Sequence, residues 1–252
     1  MAGKLWSKIF STEAELVLHG TVPYHRSYIL LNAPTSPQSF PSRFSTPFQR
    51  SLQLQTTRWG GLVNHAWVGH ADGEPSLTAF SALNGVLHLP LRSLEAERES
   101  DVLDIAERLH KHATVPGTYP QDDDKLHIYV CTHGARDCRC GDTGGAVLRA
   151  LREELDARTR KEPNGKASRV VLGEVGHVGG HVFAANILVF PHGEWFGRLT
   201  PADIPEILDT ILASRARPLN VTDAPLDPKF WRGRMGLHKE EQLDLMKSTS
   251  SY

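Results

Sequence analysis

Apolar and polar positions along the chain divide it into short elements. SYILLN at 27–32, GLVNHAWVG at 61–69 and GVLHLPL at 85–91 read as strands, and APTSPQSFP at 33–41 reads as a loop rich in proline and serine. DVLDIAERLH at 101–110 has helical spacing, with Val102, Ile105, Ala106 and Leu109 on one face. ATVPGTYPQDDDK at 113–125 combines prolines, a glycine and adjacent aspartates, as an exposed junction does.

Beyond the junction the pattern is sharper. LHIYV at 126–130 is a short strand that delivers Cys131. After the cysteine loop, Asp142 or Thr143 can cap a helix whose Leu148, Leu151 and Leu155 form an apolar stripe. KEPNGKAS at 161–168 is a connector, and RVVLGEV at 169–175 is a strand leading to His177. ANILVFP and EWFGRLT form a hairpin across 185–200, with Trp195 and Phe196 in its core. Thr200 then caps a helix with Pro201 first, Asp203 third, and a buried face of Ile204, Ile207, Leu208, Ile211 and Leu212. From Arg215 the chain turns polar, except that FWRGRMGL at 230–237 packs back on the body and KSTSSY at the end frays.

The order strand, helix, strand, hairpin, helix predicts an α/β fold with a thioredoxin-like layer in the C-terminal half. The first half can be laid out in a similar way. The expected organisation is an extension over 1–20, an N-terminal α/β domain over 21–120, a thioredoxin-like domain over 121–215 and a tail over 216–252.

Charge narrows the function classes. The 28 basic and 29 acidic side chains leave a net charge of -1, without the positive field that nonspecific nucleic-acid binding needs. No uncharged apolar run is long enough to span a membrane. MAGKLWSKIF lacks the long apolar core and cleavage site of a secretory signal, and Glu13 and Glu15 speak against a mitochondrial presequence, so the expected location is cytoplasmic, with mitochondrial as the alternative.

All 3 cysteines lie in CTHGARDCRC at 131–140, which argues for local thiol chemistry in an intracellular protein rather than a disulfide scaffold. Cys131 and Cys140 are spaced C-x8-C; after a gap of 36 residues, His177 and His181 bracket the glycine-rich HVGGH. Strand ends and helix starts converge on one edge of a sheet, and a helix N-terminus stabilises a thiolate there. The spacing fits neither a zinc finger nor the Rieske pattern. Zinc and iron–sulfur remain open at this point, as do free thiols or a single disulfide.

Other residues have dual readings. His133 could bond a cluster sulfur or simply order its loop, and Arg136 and Arg139 could offset negative charge or lie solvated. GDTGG at 141–145 lacks the Walker lysine and the Rossmann spacing, so helix capping and close packing explain it better. His25, Arg26, Asn64 and His65 could face the site or fill ordinary hydrogen-bonding roles, and Trp231 and Arg232 could line a docking surface or pack the tail.

The segments CTHGARDCRCG and GEVGHVGGHVFAANILVFPHGEWFGRLTPADIP closely resemble the sucrase/ferredoxin-like family of fungi and plants. GTVPYHRSYILLNAP with its later PSR, GGLVNHAWVG and WRGRMGL extend the resemblance over roughly 20–240. It implies a thioredoxin-like ferredoxin domain whose [2Fe-2S] cluster, distinct from Rieske centres, is held by two cysteines and two histidines, which map to Cys131, Cys140, His177 and His181. Cys138 falls between the ligand positions as an extra thiol. The implied role is electron transfer or redox response, proton-coupled through the histidines, with a protein or cofactor-bearing redox partner. The alternatives are an oxidoreductase component of a metabolic or biosynthetic pathway, and a zinc-bound or metal-free interaction module. No Ser-His-Asp order, glycosidase pair or nucleotide loop is present, so no catalytic residue is assigned and the word sucrase has no chemical support.

Overall fold

The computed structural model describes residues 16–69, 74–93, 98–117 and 124–249. The N-terminal MAGKLWSKIF, residues 118–123 of the 113–125 junction and the last three residues of the fraying tail lie outside them.

The first half contains strands β1 (Ser27–Asn32), β2 (Gly61–Trp67), β3 (Ser76–Ser81) and β4 (Gly85–Pro90), with helix α1 (Pro47–Thr56) between β1 and β2 and helix α2 (Glu99–Thr114) after β4. The second half contains β5 (Leu126–Cys131), α3 (Gly145–Lys161), β6 (Val170–Val175), β7 (Ile187–Phe190), β8 (Glu194–Phe196) and α4 (Ile204–Ala213). A last strand, β9 (Trp231–Arg234), and helix α5 (Lys239–Thr249) close the chain. One sheet has the order β4-β3-β1-β2-β6-β5-β7-β8-β9.

The two halves repeat one topology. β1 is parallel to β2 and antiparallel to β3, as β5 is parallel to β6 and antiparallel to β7; each half then adds the second strand of its hairpin and a helix. This strand–helix–strand–hairpin–helix order is thioredoxin-like. The halves meet through a two-residue antiparallel contact, Ala66 with Val175 and Trp67 with Glu174.

Strand alternation sorts the side chains into separate cores. Ile29 and Leu31 pack with Leu52, Ile105 and Leu109 of α1 and α2, while Ile128 and Val130 pack with Leu148, Leu151, Ile207 and Leu208 of α3 and α4. The opposite positions, Tyr28, Leu30, Tyr129 and Cys131, enter a third core shared by both halves. There Phe80 of β3 stacks on Phe190 of β7 with ring centroids 4.1 Å apart. Those strands would be about 24 Å apart in a flat sheet. The sheet is therefore curled over, with helices outside, and Cys131 points into the shared core.

Local chemistry explains several elements and corrects others. Thr46 Oγ1 accepts from Gln49 N at 3.1 Å and Pro47 opens α1, whereas the helix entered from the cysteine loop has no such cap. Asp142 and Thr143 lie inside a π-helical turn, Cys140–Gly144, and neither caps α3; the helix starts from Gly144 with no side-chain cap. Thr200 begins a short 3₁₀ turn that runs into α4, and its N–H donates to Asp203 Oδ2 at 2.9 Å. FWRGRMGL does pack back, as the edge strand β9, with Trp231 and Arg232 buried rather than displayed on a surface.

Candidate metal centre

β5 and β6 run parallel and end side by side, Cys131 opposite Val175, so their C-terminal ends present Cys131 and the loop that begins at Gly176. The chain returns from Cys131 through the π-helical turn that starts at Cys140. Gly144 makes this close approach possible, because a Cβ there would lie 2.2 Å from the Cys131 carbonyl oxygen. A π-turn at a helix start is a local departure that often accompanies function.

Ligand atoms of Cys131, Cys140 and His177 all lie within 4.8 Å of one another. Cys140 Sγ is 3.7 Å from His177 Nδ1. Both cysteines are buried and free, whereas Cys138 is free and exposed. His181 stands one step outward: its ring is stacked with that of His177 at 5.8 Å between centroids, and its Nδ1 is 3.7 Å from Asp137 Oδ2. The structure thus gathers three of the four expected ligands tightly and sets the fourth beside them, with a half-exposed side chain.

The two buried thiols act as a pair. Hydrogen bonding with Cys140, opposed by burial and helped by the Arg232 charge among other groups, lowers the pKa of Cys131, and the same bond together with burial raises that of Cys140. One proton shared between the two sulfurs accounts for both directions. Asp137 is held ionised, down to about 2, chiefly by the side chain of Arg139, which grips it through two bonds of 2.9 Å. Arg139 is therefore an ion-pair partner of Asp137 on an exposed, solvated loop face.

Neighbouring groups fix the loops. His133 bridges its surroundings: Nε2 is 2.9 Å from the Pro41 carbonyl, and Nδ1 is 3.4 Å from the His177 N–H. Glu174 accepts from Ser36 Oγ, Gln38 Nε2 and Thr132 Oγ1 at 2.7–2.8 Å, fastening the 36–38 turn of the first half next to Cys131. Asn64 Nδ2 donates to Tyr28 Oη at 3.1 Å and to the Gly176 carbonyl at 3.2 Å. His25 is buried with Nδ1 on the Pro23 carbonyl, and Arg26 Nε donates to Tyr24 Oη. The signals for Asp137 and Glu174 were absent from the sequence pattern, since a carboxylate that fastens a loop looks like any other.

A cleft of about 450 Å³ opens beside His177, lined among others by Phe40, Phe44, Gln49, His65 and Arg136. Phe40 and Phe44 stack at 3.9 Å, and His65 stands 4.8 Å edge-on from Phe44. His65 Nε2 and Gln49 Oε1 are buried without a partner, and burial lowers His65 to about 4, so its imidazole is neutral near pH 7.

The donor set suits a soft metal or an iron–sulfur group: two thiols, imidazole and glycine-flanked backbone. Fold and site together define a mixed α/β protein with a buried Cys-Cys-His group able to hold a metal. The sucrase/ferredoxin-like pattern matches residues 18–233, and the chain belongs to that family. It is 40% identical over 88 residues to altered inheritance of mitochondria protein 32 of Meyerozyma guilliermondii, covering 34% of this chain and 29% of that protein. It is 30% identical over 95 residues to actin patches distal protein 1 of Saccharomyces cerevisiae, covering 35% of this chain and 30% of that protein. These matches span under a third of either relative's length. A thioredoxin-like [2Fe-2S] ferredoxin from Aquifex aeolicus aligns with 38% of this chain and 96% of its own at 19% identity and a TM-score of 0.30. The strand order, not that superposition, defines the fold. Among the described residues no helix is long and apolar enough to cross a membrane.

Proposed function

We propose that the chain holds a [2Fe-2S] cluster on Cys131, Cys140, His177 and His181 and serves as a one-electron carrier or redox-responsive protein. The observation that carries this reading is the convergence of two buried thiols and an imidazole within 4.8 Å, with a second imidazole stacked on the first. A cluster bound there would supply a single-electron couple, and mixed thiolate–imidazole ligation raises its potential relative to all-cysteine ligation. The chain's own residues do the rest. The π-helical turn aims Cys140 at Cys131, Glu174 and His133 lock the loops on either side, and the half-exposed His181 leaves an imidazole edge where a proton can be exchanged with solvent. The test is anaerobic purification followed by iron, zinc and labile-sulfide analysis. Two irons and two sulfides per chain are expected; one zinc, or no metal after anaerobic reconstitution, overturns the reading in favour of the interaction-module alternative.

The cleft beside His177 favours a second reading, an oxidoreductase component that brings a small molecule to the centre. Its lining contains no carboxylate, while Arg43 and Arg136 line it along with the Phe40–Phe44 stack, so a flat anion suits it. Oxidation of the reduced protein by such a compound, slowed in Arg136→Ala, would support turnover; equal rates would leave the carrier role alone. A mitochondrial setting is the alternative location that the names of the relatives suggest, beside a cytoplasmic one.

A further inference from the structure

β9 buries two arginines two residues apart, and their surroundings differ in one decisive respect. Arg234 is neutralised: its Nε donates to Glu194 Oε1 at 2.5 Å, and its other nitrogens donate to the carbonyls of Asn220, Asp223 and Ala224. Among the described residues, Arg232, 1% exposed, is hydrogen-bonded only to neutral acceptors. Its Nε donates to Thr21 Oγ1 at 3.1 Å, Nη2 to the Thr21 carbonyl at 3.3 Å, and Nη1 to Asn186 Oδ1 at 2.8 Å and the Gly179 carbonyl at 3.4 Å. The rings of Phe183 and Trp195 flank it, at 5.2 and 5.8 Å from Cζ.

A buried cation without an anion is costly, and such a group is retained only where a negative charge meets it. The group that supplies one here is the Cys131–Cys140 pair: Asn186, whose Oδ1 accepts from Arg232, also accepts the Cys131 N–H on its carbonyl at 3.0 Å, and the negative charge of the sulfurs favours the charged guanidinium against its burial. Arg232 also sits directly beneath the loop that bears both histidines. Gly180 leaves the room it needs, since a Cβ there would lie 2.3 Å from Nη2, and Asn186, which accepts from Arg232, donates from Nδ2 to the Gly180 carbonyl at 3.1 Å.

We propose that Arg232 is the buried counter-cation of the metal centre: it holds the HVGGH loop over the thiols and stabilises the negative charge that reduction places there. This rests on the cluster reading. Two ferric ions, two sulfides and two thiolates sum to zero, so with neutral imidazoles the added electron leaves one net negative charge beside the guanidinium. Arg232 is a positioning residue that also tunes the couple through its charge.

The experiment is a redox titration of the holoprotein and of Arg232→Gln, Arg232→Lys and Asn186→Asp, with iron and sulfide measured for each. Arg232→Gln removes the charge. Asn186→Asp keeps the arginine but gives it a carboxylate, so it keeps the test alive if Arg232→Gln does not fold. Both should disfavour reduction at least tenfold, which is about 59 mV for a one-electron couple, while Arg232→Lys stays near wild type. Equal potentials in loaded wild type and Asn186→Asp overturn the proposal. If wild type binds no iron, the cluster reading falls by itself. The positioning role is then read from backbone amide exchange of the 176–181 loop in the metal-free protein: at least tenfold faster exchange in Arg232→Gln supports it, and equal rates overturn it.

Discussion

The two halves of the molecule share a strand order and differ in what their strand ends deliver. β1 ends at Asn32 and β5 at Cys131, while β2 runs on into Val68–Gly69 and β6 into Gly176–His177. The helices that follow differ as well. α1 starts from a side-chain cap, Thr46, and a proline, the ordinary stabilising solution, whereas α3 starts from an uncapped π-turn that keeps Cys140 against Cys131. The first half supplies structure and a wall, with His65, Phe40 and Phe44 facing the cleft beside His177. Chemistry has been built on one copy of the topology by spending local helix stability at a single turn.

Acid should affect both halves and gives the largest expected effect. His25, His65, His112 and His192 are lowered to about 4, first by burial. Between about 6.5 and 4 the unfolded chain binds protons that the folded chain refuses, so stability is complete above about 6.5 and falls as pH drops through that window, by up to ~1.4 kcal/mol per pH unit for each such histidine. Urea midpoints measured from pH 7.5 to 4.5 should decline steadily; a flat profile contradicts the buried neutral imidazoles.

Glu194→Gln should be the most damaging single substitution, because it removes the carboxylate that meets the buried Arg234 directly. A loss of about 3–5 kcal/mol in denaturant titration is expected. A loss below 1 kcal/mol would mean that the carbonyls around Arg234 suffice. Next, the helix starts can be set against each other. Gly144→Ala forces the Cys131 carbonyl aside and should cost about 1–3 kcal/mol together with most of the bound iron, while Thr46→Ala should cost about 1 kcal/mol and leave iron content unchanged. If both variants keep their iron, the π-turn does not shape the centre.

Much of the fold was legible in the chain. β1 matches SYILLN residue for residue, β5 runs one residue past the expected LHIYV to take in Cys131, and the five apolar residues of α4 are all buried. The missed elements have physical reasons. α1 buries only Phe48, Leu52 and Thr56, too thin a stripe to announce a helix, and α5 buries only Gln242. β3, SLTAFS, mixes small and polar residues whose burial comes from both sides, Leu77 and Ala79 against α1 and α2 and Phe80 in the shared core. Asp142 and Thr143 looked like caps because cap preference assumes an ordinary α-helical start. At the site, residue type and spacing pointed to Cys131, Cys140, His177 and His181; the first three converge, as the parallel pairing of β5 with β6 brings about, and His181 stands one step outward. Arg232 could not be weighed in advance, since its meaning lies in the carboxylate it lacks.

Mixed ligation is the central claim, and pulsed EPR of the reduced protein, with modulation from ¹⁴N, tests it most directly. The account predicts two strongly coupled nitrogens, one lost in His177→Cys and the other in His181→Cys, with the paramagnetic signal retained in Cys138→Ser. A reduced cluster without coupled nitrogen, or one that keeps both couplings in the two histidine variants, would contradict it.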